Sequence, residues 1–284
     1  GDRVLKYESK KWSFAYLEKL KNLCYDFLNK NHIRYVFGEV TWAHELVIHR
    51  LTLNVKDLNC EYLNPHTIRI PNGRFTFFKD EFQSKIKEVS QVSITGIDSI
   101  KLEKPSYLVL NDRLLAKKGT FSHNLVLLKN FILRTNQDAN DPTLYSNPFT
   151  QLRIRVSEIY NRILFKNFVS ETKIDALPID KKQVLFTLHK QPEASIDVIG
   201  RYYESQLELI RNIWRILPSD YVLLVKEHSN AIGDRELKFY NSVKKFPNVF
   251  LIDNKADSHK LLNECTVVFT VSGTIAYEAA LKEK

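Results

Sequence analysis

Three short polar clusters, Gln191-Pro192-Glu193, Lys226-Glu227-His228 and Ser272-Gly273-Thr274, hold groups that can grip and neutralise a phosphate. A Ser-Gly-Thr turn opening a helix offers an anion backbone N–H groups, the positive end of a helix dipole and two hydroxyls, and Gly273 allows close approach to the main chain. The plain alternative is that Ser272 is a helix cap. His228 carries an imidazole that titrates near neutrality, suited to binding or protonating a leaving phosphate, and Lys226 would face the same side of a continuing strand. Gln191 and Glu193 can hold a base or a sugar hydroxyl on a loop stiffened by Pro192. Glu278, four residues after Thr274, falls on the same helix face and can accept hydrogen bonds from ribose hydroxyls. Each residue also has a structural reading, as a solvated glutamate, a structural histidine or a turn chosen for shape.

All three clusters follow short apolar runs. Val184–Leu188, Tyr221–Val225, Val249–Ile252 and Thr266–Val271 are β-branched or aliphatic, the pattern of strands buried on both faces. Between them lie helical patterns at Val198–Leu217, Arg235–Lys245 and Ser258–Glu264. Strands alternating with helices predict right-handed crossovers and a parallel sheet, a Rossmann-like half from about residue 180 onward. Ligands of such sheets bind at the carboxyl ends of the strands, where the three clusters fall.

At 284 residues the chain has room for two domains with separate cores. We expect an N-terminal domain over 1–150, a connecting helix and linker over 151–180, and the Rossmann-like domain over 181–284. No apolar run approaches the roughly 20 residues of a membrane span, and no signal peptide opens the sequence, so a soluble, cytoplasmic protein is expected. Cys24, Cys60 and Cys265 are widely spaced and odd in number, which argues for reduced thiols rather than disulfides or a zinc site. The net charge of +9 suits an anionic ligand, a nucleic acid or an acidic membrane surface. The basic residues are dispersed and no RNA-binding aromatic signature is present, so nucleic acid ranks low. Methionine is absent, and the terminal AYEAALKEK stops inside a helical pattern, so the sequence is expected to be a piece of a longer one with an incomplete C-terminal domain.

In the first half, Lys11–Asn29 is an amphipathic helix by its spacing, His32–Phe37 a short strand, and a second helix runs through Leu53. Glu39, Thr41, His44 and Glu45 therefore lie at a strand-to-helix turn, where an opposed domain can present catalytic groups; alternatively Thr41 caps the helix and His44 and Glu45 are solvated. Asn64–Phe82 reads as an extended, loop-rich segment packed by Phe75, Phe77 and Phe78, with Arg69 and Arg74 able to meet an anionic acceptor. Ser93–Leu102 and Tyr107–Leu110 suggest further strands or helix ends, and Thr135–Asn147 a linker or loop. Gln151–Val169 is a basic amphipathic helix that would connect the halves and could touch acidic lipid.

The segment from Leu188 to Ala280, with LHKQPEASID, LPSDYVLLVKEHSNAIGDR, FYNSVKKFPNVFLID and FTVSGTIAYEAA, resembles the capsule polysaccharide biosynthesis proteins, and FGEVTWAHE and NPHTIRIPNGRF look like features of the same group. That group includes bacterial enzymes that transfer 3-deoxy-manno-octulosonic acid from its CMP derivative. The resemblance implies a GT-B glycosyltransferase: two Rossmann-like domains facing a cleft, a nucleotide-sugar donor on the C-terminal one, a glycan or glycolipid acceptor on the N-terminal one, and neither metal nor separate cofactor. It also implies work at the inner face of the cytoplasmic membrane, beside capsule assembly proteins. Similar CMP-sugar transferases hold the phosphate with a His-Pro pair and a Ser or Thr motif, positions matched by His228 and by Ser272 with Thr274. Ser229 stands where the proline would be, a departure that bears on the donor more than on the fold.

The expected chemistry follows from these matches. The donor phosphate would rest on the helix after Ser272, with Lys226 and His228 neutralising charge as the glycosidic bond to phosphate breaks. Glu39, or failing it His44 or Glu45, would be the base for the acceptor hydroxyl. Two other readings stay open: a sugar-nucleotide epimerase on the same fold, which needs no acceptor, and a non-catalytic nucleotide-binding subunit of a capsule assembly complex.

Overall fold

In the C-terminal half the apolar, β-branched runs pair edge to edge, and the sheet satisfies their buried backbone groups. The computed structural model describes residues 5–68, 74–88, 120–133, 148–169, 178, 180–254 and 256–284. The chain divides into two compact units, Asp2–Asn147 and Pro148–Lys284.

In the first unit, α1 (Lys10–Lys30) starts behind Ser9, whose Oγ accepts from the Trp12 N–H at 3.2 Å. The strand β1 (Tyr35–Phe37), the helix α2 (Ala43–Asn54) and the strand β2 (Glu61–Ile68) form a crossover with β1 and β2 parallel. β3 (Arg74–Phe78) then returns antiparallel to β2, so the segment read as loop-rich is instead largely a β-hairpin. Pro65 disguises it. β1 reaches only to Leu63, so at Pro65 that side of β2 is an edge and the missing N–H costs no ladder bond. Leu28, Leu51 and Leu58 form a small core with Cys24, Ile33, Val36 and Cys60 around it. A further helix, α3 (Phe121–Leu133), is described in this unit. Arg69, Ser93–Leu102, Tyr107–Leu110 and Thr135–Asn147 lie outside the described residues.

The second unit opens with α4 (Pro148–Val169) and continues through β4 (Lys182–Thr187), α5 (Gln206–Ile216), β5 (Tyr221–Lys226), α6 (Leu237–Val243), β6 (Val249–Ile252), α7 (Ser258–Glu264), β7 (Val267–Phe269) and α8 (Thr274–Ala280). The four strands are parallel in the order β6-β5-β4-β7. Alternate residues serve two cores. Val184, Phe186, Leu223 and Val225 pack with α4, α5 and α6, whereas Leu185, Val222 and Leu224 pack with α7 and α8. This two-sided burial produces the continuous apolar runs of the sequence.

Two elements differ from expectation. The helix read over Val198–Leu217 is a short π-turn at Ser195–Ile199, a 3-10 turn at Arg201–Tyr203 and only then α5. Tyr202 and Tyr203, which filled out the apolar pattern, are exposed. The interruption puts Gln206 at the start of α5, where its amide enters the loop after β4.

The helix read as a connection belongs to the second unit: Phe165 packs on the Tyr240 ring at 5.0 Å, and the Asn161 amide donates to the Gly233 carbonyl at 3.3 Å. Gly233 permits this approach, because its φ is +96° and an added Cβ would lie 2.5 Å from the Glu158 carbonyl oxygen. Gly233→Ala is expected to cost about 1–3 kcal/mol in urea unfolding, from the strained φ and the displaced α4.

Candidate functional site

With β4 to β7 taken as strands one to four, the sheet order is 3-2-1-4, so the topological switch point lies between β4 and β7. The chain leaves β4 toward α5 on one face and leaves β7 toward α8 on the other, opening a crevice at the carboxyl ends. His189 spans that crevice. Its Nε2 accepts from the Val271 N–H at 3.2 Å and lies 3.4 Å from Thr270 Oγ1, which itself donates to the Ser272 carbonyl at 2.6 Å. An accepting Nε2 leaves the proton of the neutral ring on Nδ1. Burial, then the charges of His228 and Arg235, push the His189 imidazole down to about 4, so it stays neutral and keeps that lone pair.

The backbone of His189 is held as firmly as its ring. Its N–H donates to Gln206 Oε1 at 2.8 Å, and its carbonyl accepts from Gln206 Nε2 at 2.9 Å and from Arg235 Nη2. Gln206 Nε2 also donates to Gln191 Oε1 at 2.5 Å, and Gln191 Nε2 donates to Asp197 Oδ1 and the Glu204 carbonyl. Asp197 accepts in turn from the Glu193 N–H at 2.8 Å. On the other side, Glu227, 1% exposed, accepts from Arg235 Nε at 2.9 Å, from the Tyr240 hydroxyl at 2.7 Å and from the His228 N–H at 2.7 Å. The three clusters singled out in the sequence are thus tied into one hydrogen-bonded network with His189 at its centre.

Charges of both signs surround the site. His228 is pushed down by burial and then by Lys190, Lys226 and Arg235. Lys226 is also pushed down by burial, against the pull of Asp253, Glu227 and Asp257, and its Nζ donates to the Asn254 carbonyl at 3.2 Å. Burial pushes Glu227 up, but the Arg235 charge and two further donors act to keep it ionised. Lys190 Nζ lies 3.9 Å from Asp234 Oδ2, so cations act on His228 while carboxylates stand beside both lysines.

The sequence-predicted residues fall as follows. His228 is close enough to Lys190, Lys226 and Arg235 to feel their charges, whereas Lys226, buried at the end of β5, turns its Nζ to the Asn254 carbonyl after β6. Ser272 and Thr274 flank Gly273, which has φ +101° and is the residue preceding α8, so Ser272 is not its cap and no side chain caps this helix. Gln191 is present, but its amide is committed to Gln206, Asp197 and Glu204; it shapes the loop rather than reaching outward. Glu193 is exposed at the rim. Glu278 is turned toward α7, with its Oε2 3.8 Å from His259 Nδ1.

In the first unit the turn between β1 and α2 is built by Glu45, whose carboxylate accepts from the N–H groups of Glu39, Thr41 and Trp42 at 3.2, 2.7 and 3.0 Å. Glu45 is therefore consumed as an organiser of the turn, a correction to its reading as a candidate base. Thr41 does not cap α2; Trp42 is the capping residue. Val40, buried and β-branched, is held at φ +55°, a strained conformation of the kind found where a turn must present a group. Glu39 beside it is exposed, His44 is half-buried in the first turn of α2, and Arg74 is exposed at the start of β3.

Four site residues were not singled out in the sequence. His189 and Lys190 stand directly between the β4 run and Gln191, and their place at a strand end was a usable signal. Gln206 and Arg235 looked like ordinary helical polar positions, and only packing brings them to His189. Among the described residues no group of three or more His, Cys, Asp or Glu side chains is placed to hold a metal ion. The second unit is a parallel α/β unit of the Rossmann-like class. Comparison with family models, with characterised proteins and with solved structures yields no match to this chain.

Proposed function

We propose that the chain is a nucleotide-sugar-dependent glycosyltransferase of bacterial surface polysaccharide synthesis, with the GT-B arrangement and the donor in the crevice between β4 and β7. The observation that carries the reading is the hydrogen bond from the Val271 N–H, after β7, to His189, after β4, at the switch point of a 3-2-1-4 sheet, with the charges of Lys190, Lys226 and Arg235 felt at His228. A nucleotide phosphate placed there meets His228, Lys226 and Lys190, while His189 holds the Ser272-Gly273-Thr274 turn in position. As the bond from sugar to phosphate breaks, these groups oppose the charge that builds on the departing phosphate. Glu39, exposed beside the strained Val40, is the base proposed for the acceptor hydroxyl. The donor class proposed is a CMP-linked ulosonic acid and the acceptor a glycan or glycolipid.

Titration calorimetry with CMP, CDP, UDP and GDP tests this reading. CMP is expected to bind selectively, and His228→Ala to weaken it at least about tenfold, the scale of one charge-assisted hydrogen bond lost. A preference for UDP or GDP replaces the donor class and keeps the site. No response to any of the four, or an unchanged affinity in His228→Ala, removes the reading.

A further inference from the structure

Helix α4 is apolar on two opposite sides. Its inner side carries Ile154, Asn161 and Phe165; Phe165, only 3% exposed, packs in the second unit's core, and Asn161 donates to the Gly233 carbonyl. At 100° per residue, Leu152, Val156, Ile159 and Ile163 lie on the other side in the 3-4 spacing of a continuous stripe. They are 49%, 57%, 57% and 62% exposed, and Tyr160 beside them is 58% exposed. A helix whose inner face is already buried gains nothing for its own fold from a second stripe, and in water that stripe is a cost.

The charges around the stripe are of one sign. Arg153 borders it on one side and Arg155 and Arg162 on the other, all three exposed. The single acidic residue of α4, Glu158, sits on the inward border, where it accepts from Arg155 Nη1 at 2.9 Å. Arg162 Nε donates to the Ile232 carbonyl at 3.4 Å. A second copy of this face would bring like charges together, and an uncharged apolar partner would offer Arg153 no counter-charge.

We propose that the outer face of α4 docks on an anionic phospholipid surface, with the stripe in the boundary between headgroups and acyl chains and the arginines on lipid phosphates. No helix among the described residues is long and apolar enough to cross a membrane, so this contact lies in the plane of the interface. The inference goes beyond the nucleotide reading and stands or falls without it, since the stripe belongs to α4 and the crevice to the strand ends.

Co-sedimentation of the full chain with vesicles tests it. The protein is expected to pellet with phosphatidylcholine vesicles containing phosphatidylglycerol, to be released by salt, and to stay in solution with phosphatidylcholine alone. Arg153→Gln and Arg155→Gln should each weaken partitioning about fivefold. The double variant Val156→Asp, Ile159→Asp should abolish it while the thermal midpoint holds, because both side chains are exposed. Binding to neither vesicle, equal binding to both, or binding unaffected by the double variant overturns the proposal. So does a dimer in light scattering that the double variant converts to monomer, which would mean that a second copy covers the face.

Discussion

Arg235→Ala is expected to destabilise the protein by about 3–5 kcal/mol, the cost of leaving a buried carboxylate without its partner. The Arg235 side chain is 10% exposed and the Glu227 side chain 1%, so water cannot replace the lost guanidinium. The same substitution frees the His189 carbonyl from one donor and removes a cation from over the Phe239 ring at 5.0 Å. Urea unfolding measures the loss. Adding Glu227→Gln to an Arg235→Met variant should recover part of it, since the remaining group is then neutral and still accepts from Tyr240. A loss below about 1 kcal/mol, the range of exposed pairs, would mean that the pair is solvated and does not organise the crevice.

The second large effect is a dependence on pH set by His189. Its folded-state pKa of about 4 lies below the ordinary histidine value, so the unfolded chain takes up the proton first. The stabilisation is complete above the unfolded value and is lost as pH falls from about 6.5 through about 4, a change of about 3 kcal/mol. Protonation also ends the acceptance from the Val271 N–H, which unlocks the turn at Ser272. In His189→Gln the amide oxygen can keep that hydrogen bond without titrating. Unfolding curves of the two proteins between pH 4 and pH 7 should therefore diverge as pH falls, with the wild type losing more. Parallel curves would show that the ring is solvated or that Nε2 does not carry the contact. His228 is depressed by the same kind of surroundings and is present in both proteins, so only its coupling to His189 enters the difference.

Local pattern was sufficient wherever one residue's neighbours in sequence are also its environment. β4 and β5 were legible as uninterrupted apolar runs because both faces are covered by helices, and Ser258–Glu264 was legible from its short helical pattern. α1 was legible from its helical spacing for the same reason. The β2–β3 hairpin was not, since Pro65 reads as a breaker until the short reach of β1 makes that position an edge. Nor was the break before α5, because it serves Gln206, whose partners are the peptide of His189 and the Gln191 side chain.

The site divides in the same way. By itself the sequence determined that polar groups follow three apolar strands, since strand ends are marked locally by the change from apolar to polar residues. Tertiary structure alone decided which of those groups are committed to scaffolding. The strand order put β4 beside β7 and so brought His189 to Val271, more than eighty positions apart in the chain. Packing turned Gln191 and Glu45 inward as scaffolding and aimed Glu278 at α7, because a buried polar group must take the partner that folding places within hydrogen-bond reach.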